Sequence, residues 1–113
     1  MGRALDICQR LGGAILGVVY RRVAVEGLSM VPTVAPGQRV TVVRRWRPVR
    51  AGDVVVVRDP RAPSRLLLKR CVARVGRMVD LRGDNEAVST DSRDFGLVPG
   101  RDVRWLVLGL RRG

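Results

Sequence analysis

An all-β fold preceded by one short N-terminal helix is the architecture this 113-residue sequence predicts, and three observations carry it. From residue 22 onward the chain is a series of short, β-branched runs. Turn signals separate them, among them Pro36-Gly37, Gly52-Asp53 and Gly76-Arg77. Val54, Val55, Val56 and Val57 form a continuous apolar stretch, the pattern of a strand covered on both faces and therefore central. The length allows a single domain with one modest core, divided here into a peripheral segment, 1–21, and a folded body, 22–113.

The elements follow in order. Residues 11–20 are mostly apolar and closed by Arg10 and by Arg21-Arg22. A bilayer-spanning helix needs about 20 such residues, so this run is too short. Residues 4–20 are expected to form a short helix, interrupted by Gly12, Gly13 and Gly17, that packs on the body or lies at an interface. A truncated membrane anchor and a targeting segment are the competing readings, the latter weakened because arginines rather than a small-residue cleavage pattern follow the run. Residues 22–26 read as a strand, and Gly27-Leu28-Ser29-Met30-Val31-Pro32-Thr33 as a tight loop, since Gly permits unusual backbone angles and Pro32 restricts both itself and Val31. Strands are predicted at 38–43, 54–57, 66–75 and 102–110, with 66–75 the longest and turning at Gly76-Arg77 into a hairpin with 78–82. The arginine-rich piece 44–50 is a loop or edge, and 59–64 an exposed excursion. Residues 83–100, rich in Gly, Asp, Ser and Asn, form a long structured loop, and loops of that length are commonly functional.

Charge narrows the chemistry. There are 22 basic residues against 10 acidic, a formal charge of +12, and every basic residue except Lys69 is arginine. Such a field favours an anionic partner. With no histidine, imidazole acid-base chemistry, a Ser-His-Asp triad and any His-containing zinc site are excluded. Cys8 and Cys71 are too few for a four-cysteine metal site and are expected to stay reduced, Cys71 as a small buried apolar residue. No metal site and no cofactor are expected. Aromatic residues are 4% of the chain, too sparse for the interleaved basic and aromatic surface of a single-strand nucleic-acid binder. Trp46 and Trp105 are read as core or edge packing.

Strand alternation puts Leu67, Lys69, Cys71, Ala73 and Val75 on one face and Leu66, Leu68, Arg70, Val72 and Arg74 on the other. Lys69 therefore stands among apolar neighbours, where desolvation lowers a lysine from about 10.4 and suits it to general-base work. The competing reading is a lysine that snorkels out at a strand edge. A base needs a nucleophile, and Ser29 lies in a constrained loop directly after a strand. A loop serine is ordinarily a turn residue, and Ser29 rises above that only together with Lys69 and the 83–100 loop.

Four stretches complete the pattern: Gly27-Leu28-Ser29-Met30-Val31-Pro32-Thr33, Gly52-Asp53-Val54-Val55, Lys69-Arg70-Cys71-Val72, and Gly83-Asp84-Asn85 with Ser89-Thr90-Asp91-Ser92-Arg93-Asp94-Phe95-Gly96. In this order they resemble the successive boxes of the type I signal peptidase family, over roughly residues 22–109. The resemblance implies a serine endopeptidase with a Ser-Lys dyad on a coiled, mostly antiparallel β-fold. Ser29 matches the family nucleophile and Lys69 its general base. Ser89 matches the serine that orients the lysine, Asp91 and Arg93 an ion pair supporting that loop, and Asp84 another supporting acid. Met30 matches the residue packed under the nucleophile, and Pro32 with Thr33 completes the box. Gly27 stands where some members carry a serine that helps hold the oxyanion, which leaves the Ser29 N–H and a second donor for that task.

The implied partner is a precursor protein with an extended N-terminal leader, bound along strands beside the site with small residues just before the cut and two positions further upstream. The arginine-rich body and the Val25-Glu26-Gly27-Leu28-Ser29-Met30-Val31-Pro32-Thr33 opening look most like a small bacterial subgroup, the nickel-type superoxide dismutase maturation proteases. With no convincing span, the implied location is cytoplasmic or at the membrane periphery, with contact to an anionic membrane surface. The main alternative is a small basic β-barrel that binds nucleic acid without catalysis. A self-cleaving repressor-type peptidase is a third, disfavoured because no DNA-reading helix pair precedes the domain and because of the Gly83-Asp84-Asn85 box.

Overall fold

The computed structural model describes residues 7–15 and 18–110. Eight strands are formed: β1 (Ile7–Ile15), β2 (Val18–Val25), β3 (Arg39–Arg44), β4 (Val54–Asp59), β5 (Ala62–Val75), β6 (Met78–Arg82), β7 (Val98–Pro99) and β8 (Trp105–Val107). They make one open sheet in the order β1-β2-β3-β8-β4-β5-β6-β7. Every pairing is antiparallel. The fold is thus the all-β, mostly antiparallel class that the resemblance implies, as an open sheet and not the closed barrel of the nucleic-acid alternative.

The N-terminal helix is not formed in the described residues. Residues 7–15 are strand β1, paired with β2 from Ile7 opposite Val25 to Ile15 opposite Val18, with a shift in register between Gln9 and Gly12. Each glycine disfavours helix by about 1 kcal/mol relative to alanine, and Gly12 and Gly13 fall inside this segment. Val18 and Val19, at the end of the apolar run, are β-branched and open β2. The run is therefore divided between two arms of a hairpin. β2 continues through Arg21 and Arg22, so the hairpin extends the sheet of the body. Residues 4–6 and 16–17 of the expected helix lie outside the described residues. No helix among the described residues is long and apolar enough to cross a membrane.

β4 lies in the interior of the sheet, between β8 and β5, as its continuous valines predict. Val54 and Val56 join a cluster with Val23, Met30, Val42 and Leu68 on one face. Val55 and Val57 join Val43, Leu67, Cys71 and Leu81 on the other. β5 begins at Ala62, earlier than predicted, because Pro60 and Arg61 alone turn the chain back onto β4 and the supposed excursion is mostly strand. The alternation along β5 holds as far as Cys71. A register shift against β6 between Cys71 and Ala73 then interrupts it, leaving Val75 exposed.

The 83–100 segment carries a short 3₁₀ turn (Glu86–Val88), one turn of helix α1 (Ser92–Phe95) and β7. The final strand is shorter than predicted. Residues Gly100–Asp102 form another 3₁₀ turn, and β8 covers only the residues that pair with β3 and β4. Trp105 packs half-buried against the first cluster, whereas Trp46 is 64% exposed under Arg47 and belongs to no core.

Candidate active site

β2 ends at Val25, and Gly27, at φ +85°, takes the left-handed turn that starts the Ser29 loop. The loop closes on itself through Val31 N–H to Leu28 O (3.1 Å) and Val34 N–H to Met30 O (2.9 Å). Met30 and Val34 bury beneath it, which fixes its underside, and Ser29 is left 7% exposed. Three bonds tie this loop to the segment after β6. Asn85 donates its backbone N–H to Ser29 O (2.8 Å) and its Nδ2 to Leu28 O (3.0 Å). Thr33 Oγ1 donates to Asp84 Oδ2.

Asp84 is anchored in turn by Arg70. Nε and Nη2 of Arg70 reach its two carboxylate oxygens at 3.0 Å each, a bidentate pair. Arg70 Nη1 also donates to Gly52 O (2.7 Å) and Leu110 O (2.9 Å), so this nearly buried guanidinium is held from several sides.

Lys69 stands in β5 opposite Val55 and is 1% exposed, sharing its face with buried Leu67 and Cys71. It does not snorkel to solvent. Its Nζ donates to Ser89 Oγ at 3.1 Å. Ser89 Oγ also accepts from Gly83 N–H (3.1 Å) and donates to Asp91 Oδ2 (2.7 Å). Asp91 is fully buried. It is the N-cap of α1 and forms a capping box with Asp94, so Asp91 and Arg93 meet at a helix start. Burial alone would push the Asp91 carboxyl up. The Arg93 side chain, Ser89 Oγ, Gly83 N–H and Arg93 N–H all donate to it and together hold it well below the usual carboxylate range. Arg93, raised by the same pair, also reaches Glu86 at 2.8 Å.

Gly83 is where the two groups of residues meet. A Cβ placed on it would stand 2.3 Å from Ser89 Oγ and 2.6 Å from Ser29 O. The serine that accepts from Lys69 and the main chain of Ser29 therefore flank a glycine that has room for no side chain.

The structure thus gathers Lys69, Ser89, Asp91 and Arg93 into one hydrogen-bonded chain, and Ser29, Met30, Thr33 and Asp84 around one loop. Pro32 sits exposed on that loop. The sequence placed Asn85 in the Gly83-Asp84-Asn85 box without a role for its side chain, although Asn side chains commonly bond nearby backbone groups in turns. Asp53 likewise stood in its box without a role; it is buried and bonded by Arg47 at 2.8 and 2.9 Å and by Arg50 N–H at 2.8 Å. Cys71 is a buried free thiol, and burial pushes its pKa up. The side chain of Cys8 lies outside the described residues. Among the described residues no group of three or more Cys, Asp and Glu side chains stands close enough to hold a metal ion.

Comparison with known proteins gives the family of the chain. The family described as signal peptidase, peptidase S26, matches residues 4–84, which contain Ser29, Lys69 and Asp84. The chain is similar to the mitochondrial ATP-independent inner membrane protease subunit 1a of Arabidopsis thaliana, with 33% identity over 101 residues, covering 66% of this chain and 60% of that protein. It therefore spans less than two thirds of the length of that relative.

Proposed function

The chain belongs to the signal peptidase S26 family, and from that premise we propose that it is a serine endopeptidase in which Lys69 activates Ser29 to remove an N-terminal leader from a precursor protein. One observation carries this reading: a lysine 1% exposed donates to Ser89, whose loop meets the Ser29 main chain across Gly83. Burial disfavours the charged form of a lysine, and a base must be neutral to accept a proton. The Ser89 proton is committed to Asp91. Lys69 must then donate to Ser89, which keeps the lone pair of a neutral amine off Ser89 and available to a second hydroxyl.

In the proposed reaction, Ser29 Oγ attacks the scissile carbonyl while Lys69 Nζ takes its proton. The Ser29 N–H and a second donor stabilise the resulting oxyanion. Collapse breaks the C–N bond, and Lys69 passes the proton to the departing amine. Water then attacks the acyl ester, giving one proton to Lys69. The ester C–O bond breaks, and that proton returns to Ser29. Ser89, Asp91, Arg93 and Asp84 act by positioning, the first three on Lys69 and the last on the Ser29 loop.

The narrower reading is a bacterial maturation protease acting on the precursor of nickel-type superoxide dismutase, at the cytoplasmic periphery of an anionic membrane. It is supported by the sequence of the Ser29 loop and the arginine-rich body. The test uses a fluorogenic peptide with small residues immediately before the cut and two positions upstream. Ser29→Ala and Lys69→Met are each expected to lower turnover by about 10³-fold or more with the melting temperature kept. Turnover within tenfold of the parent in either variant overturns the dyad. Cleavage of a peptide carrying the dismutase leader, against a generic secretory leader, decides the narrower reading.

A further inference from the structure

A cavity of about 570 Å³ opens on the sheet away from the lysine chain. Its walls come from neighbouring strands. β2 supplies Arg21, β3 Arg44, β4 Arg58, and Arg104 precedes Trp105 of β8. Cross-strand pairing of Arg44 with Trp105, and of Trp105 with Val56, sets these three residues side by side, and Arg21, Arg58 and Arg104 line the same cavity. The floor is apolar, with Val42, Val56 and Leu66.

Among the described residues no carboxylate pairs with any of the four arginines. Arg21 lies over the Trp105 ring at 5.4 Å, and its Nε is buried without a hydrogen-bond partner. Two acids, Asp59 and Asp102, line the cavity beside the four arginines, so the lining keeps an excess of positive charge. Asp59 is engaged by Arg61 and Arg65 at 3.8 and 3.6 Å, and Asp102 lies exposed. Clustered guanidinium groups repel one another, so the site is stabilised by an anion, and the fork of a guanidinium matches a carboxylate.

We infer that this cavity binds an acidic peptide segment, one that places carboxylates against the four arginines and apolar side chains on the floor between them. A nucleic acid fits less well, because Arg21 already covers the Trp105 face on which a base would stack. A flat membrane surface does not reach a concave floor. The cavity floor belongs to the same cluster as Met30, the residue after Ser29. Leu66 precedes Lys69 by three residues along β5, roughly 10 Å at the rise of a strand. If the peptidase reading holds, on which this last step rests, the cavity selects precursors that carry acidic residues.

Binding is measured by fluorescence anisotropy in the full chain carrying Ser29→Ala, so that no cleavage is needed and failure of the peptidase reading leaves the result intact. The probes are a labelled short peptide of alternating Glu and Leu and its Gln-Leu counterpart, at about 150 mM salt to screen diffuse attraction. The Glu peptide is expected to bind about tenfold or more tighter than the Gln peptide. Arg44→Gln with Arg58→Gln should erase that difference, while Arg39→Gln with Arg50→Gln, which removes the same charge at exposed positions outside the cavity, should keep it within about twofold. Equal losses in the two double variants overturn the proposal. So does equal binding of the two peptides, or a cavity-dependent preference for an oligonucleotide or for anionic vesicles. A melting curve on each variant confirms that these surface changes leave the fold intact.

Discussion

Replacing Gly83 with alanine tests whether the site depends on the close approach of two loops. The new methyl would meet Ser29 O at 2.6 Å, Ser89 Oγ at 2.3 Å and Ser89 Cβ at 2.7 Å. An ordinary carbon-to-oxygen contact is about 3.3–3.6 Å, so the Ser29 main chain must recede by roughly 0.7–1.0 Å and Ser89 Oγ by roughly 1.0–1.3 Å. Neither yields cheaply. Ser29 O is backbone and accepts from Asn85 N–H at 2.8 Å, and Ser89 Oγ is held by Lys69, Gly83 and Asp91. Overpacking of this kind costs about 1–3 kcal/mol. A displacement near 1 Å between reacting groups costs on the order of 10²-fold in rate. Gly83→Ala should therefore lower kcat by about 10²-fold while the protein still folds, with a reduced melting temperature. Peptide turnover and thermal melting, measured on one preparation, separate the two effects. A variant that turns over within threefold of the parent would refute the claim that Gly83 sets the spacing between Ser29 and the lysine chain.

Two further outcomes follow from the same chain of bonds. Ser89→Ala removes the acceptor of Lys69 and one donor to Asp91, so stability should fall by only about 1 kcal/mol while kcat drops by roughly 10- to 100-fold; an unchanged kcat would show that Lys69 needs no orienting hydroxyl. The Asp91 carboxyl, held below its unfolded value of about 3.9, stabilises the fold above that pH and loses its contribution as pH falls below it. Asp91→Asn should melt several degrees below the parent at pH 7, with the gap closing below about pH 4; a gap constant from pH 7 to pH 3 would mean that the carboxylate charge contributes nothing.

What alternation along a strand can convey is visible in β5. Leu67, Lys69 and Cys71 point to one face because side chains repeat every second residue, and that local rule needs no knowledge of the partner strands. It fails two residues later, since the irregularity between Cys71 and Ala73 is set by pairing with β6. The N-terminal segment misleads for a related reason. An apolar run closed by arginines is compatible with a short helix or with a hairpin, and the strand form depends on β2 offering its edge, a contact that period and composition do not encode.

The candidate site divides along the same line. The identities of Ser29, Lys69, Ser89 and Asp91 are legible through family resemblance, because each sits in a short box with its own composition. Their coupling is not, since it runs through residues far apart in the chain that meet only when the sheet has formed. Gly83 reads as an ordinary turn glycine until Ser29 and Ser89 arrive on either side of it. Arg70 reads as one arginine among many until burial against Asp84 sets it apart. In a chain with 22 basic residues, composition cannot separate a structural arginine from a solvated one or from one that awaits a ligand. Partners make the distinction: Arg70 and Arg93 are bound to carboxylates, whereas Arg21, Arg44, Arg58 and Arg104 line a cavity and form no ion pair among the described residues. The set without ion pairs is the one that the proposed acidic peptide would engage.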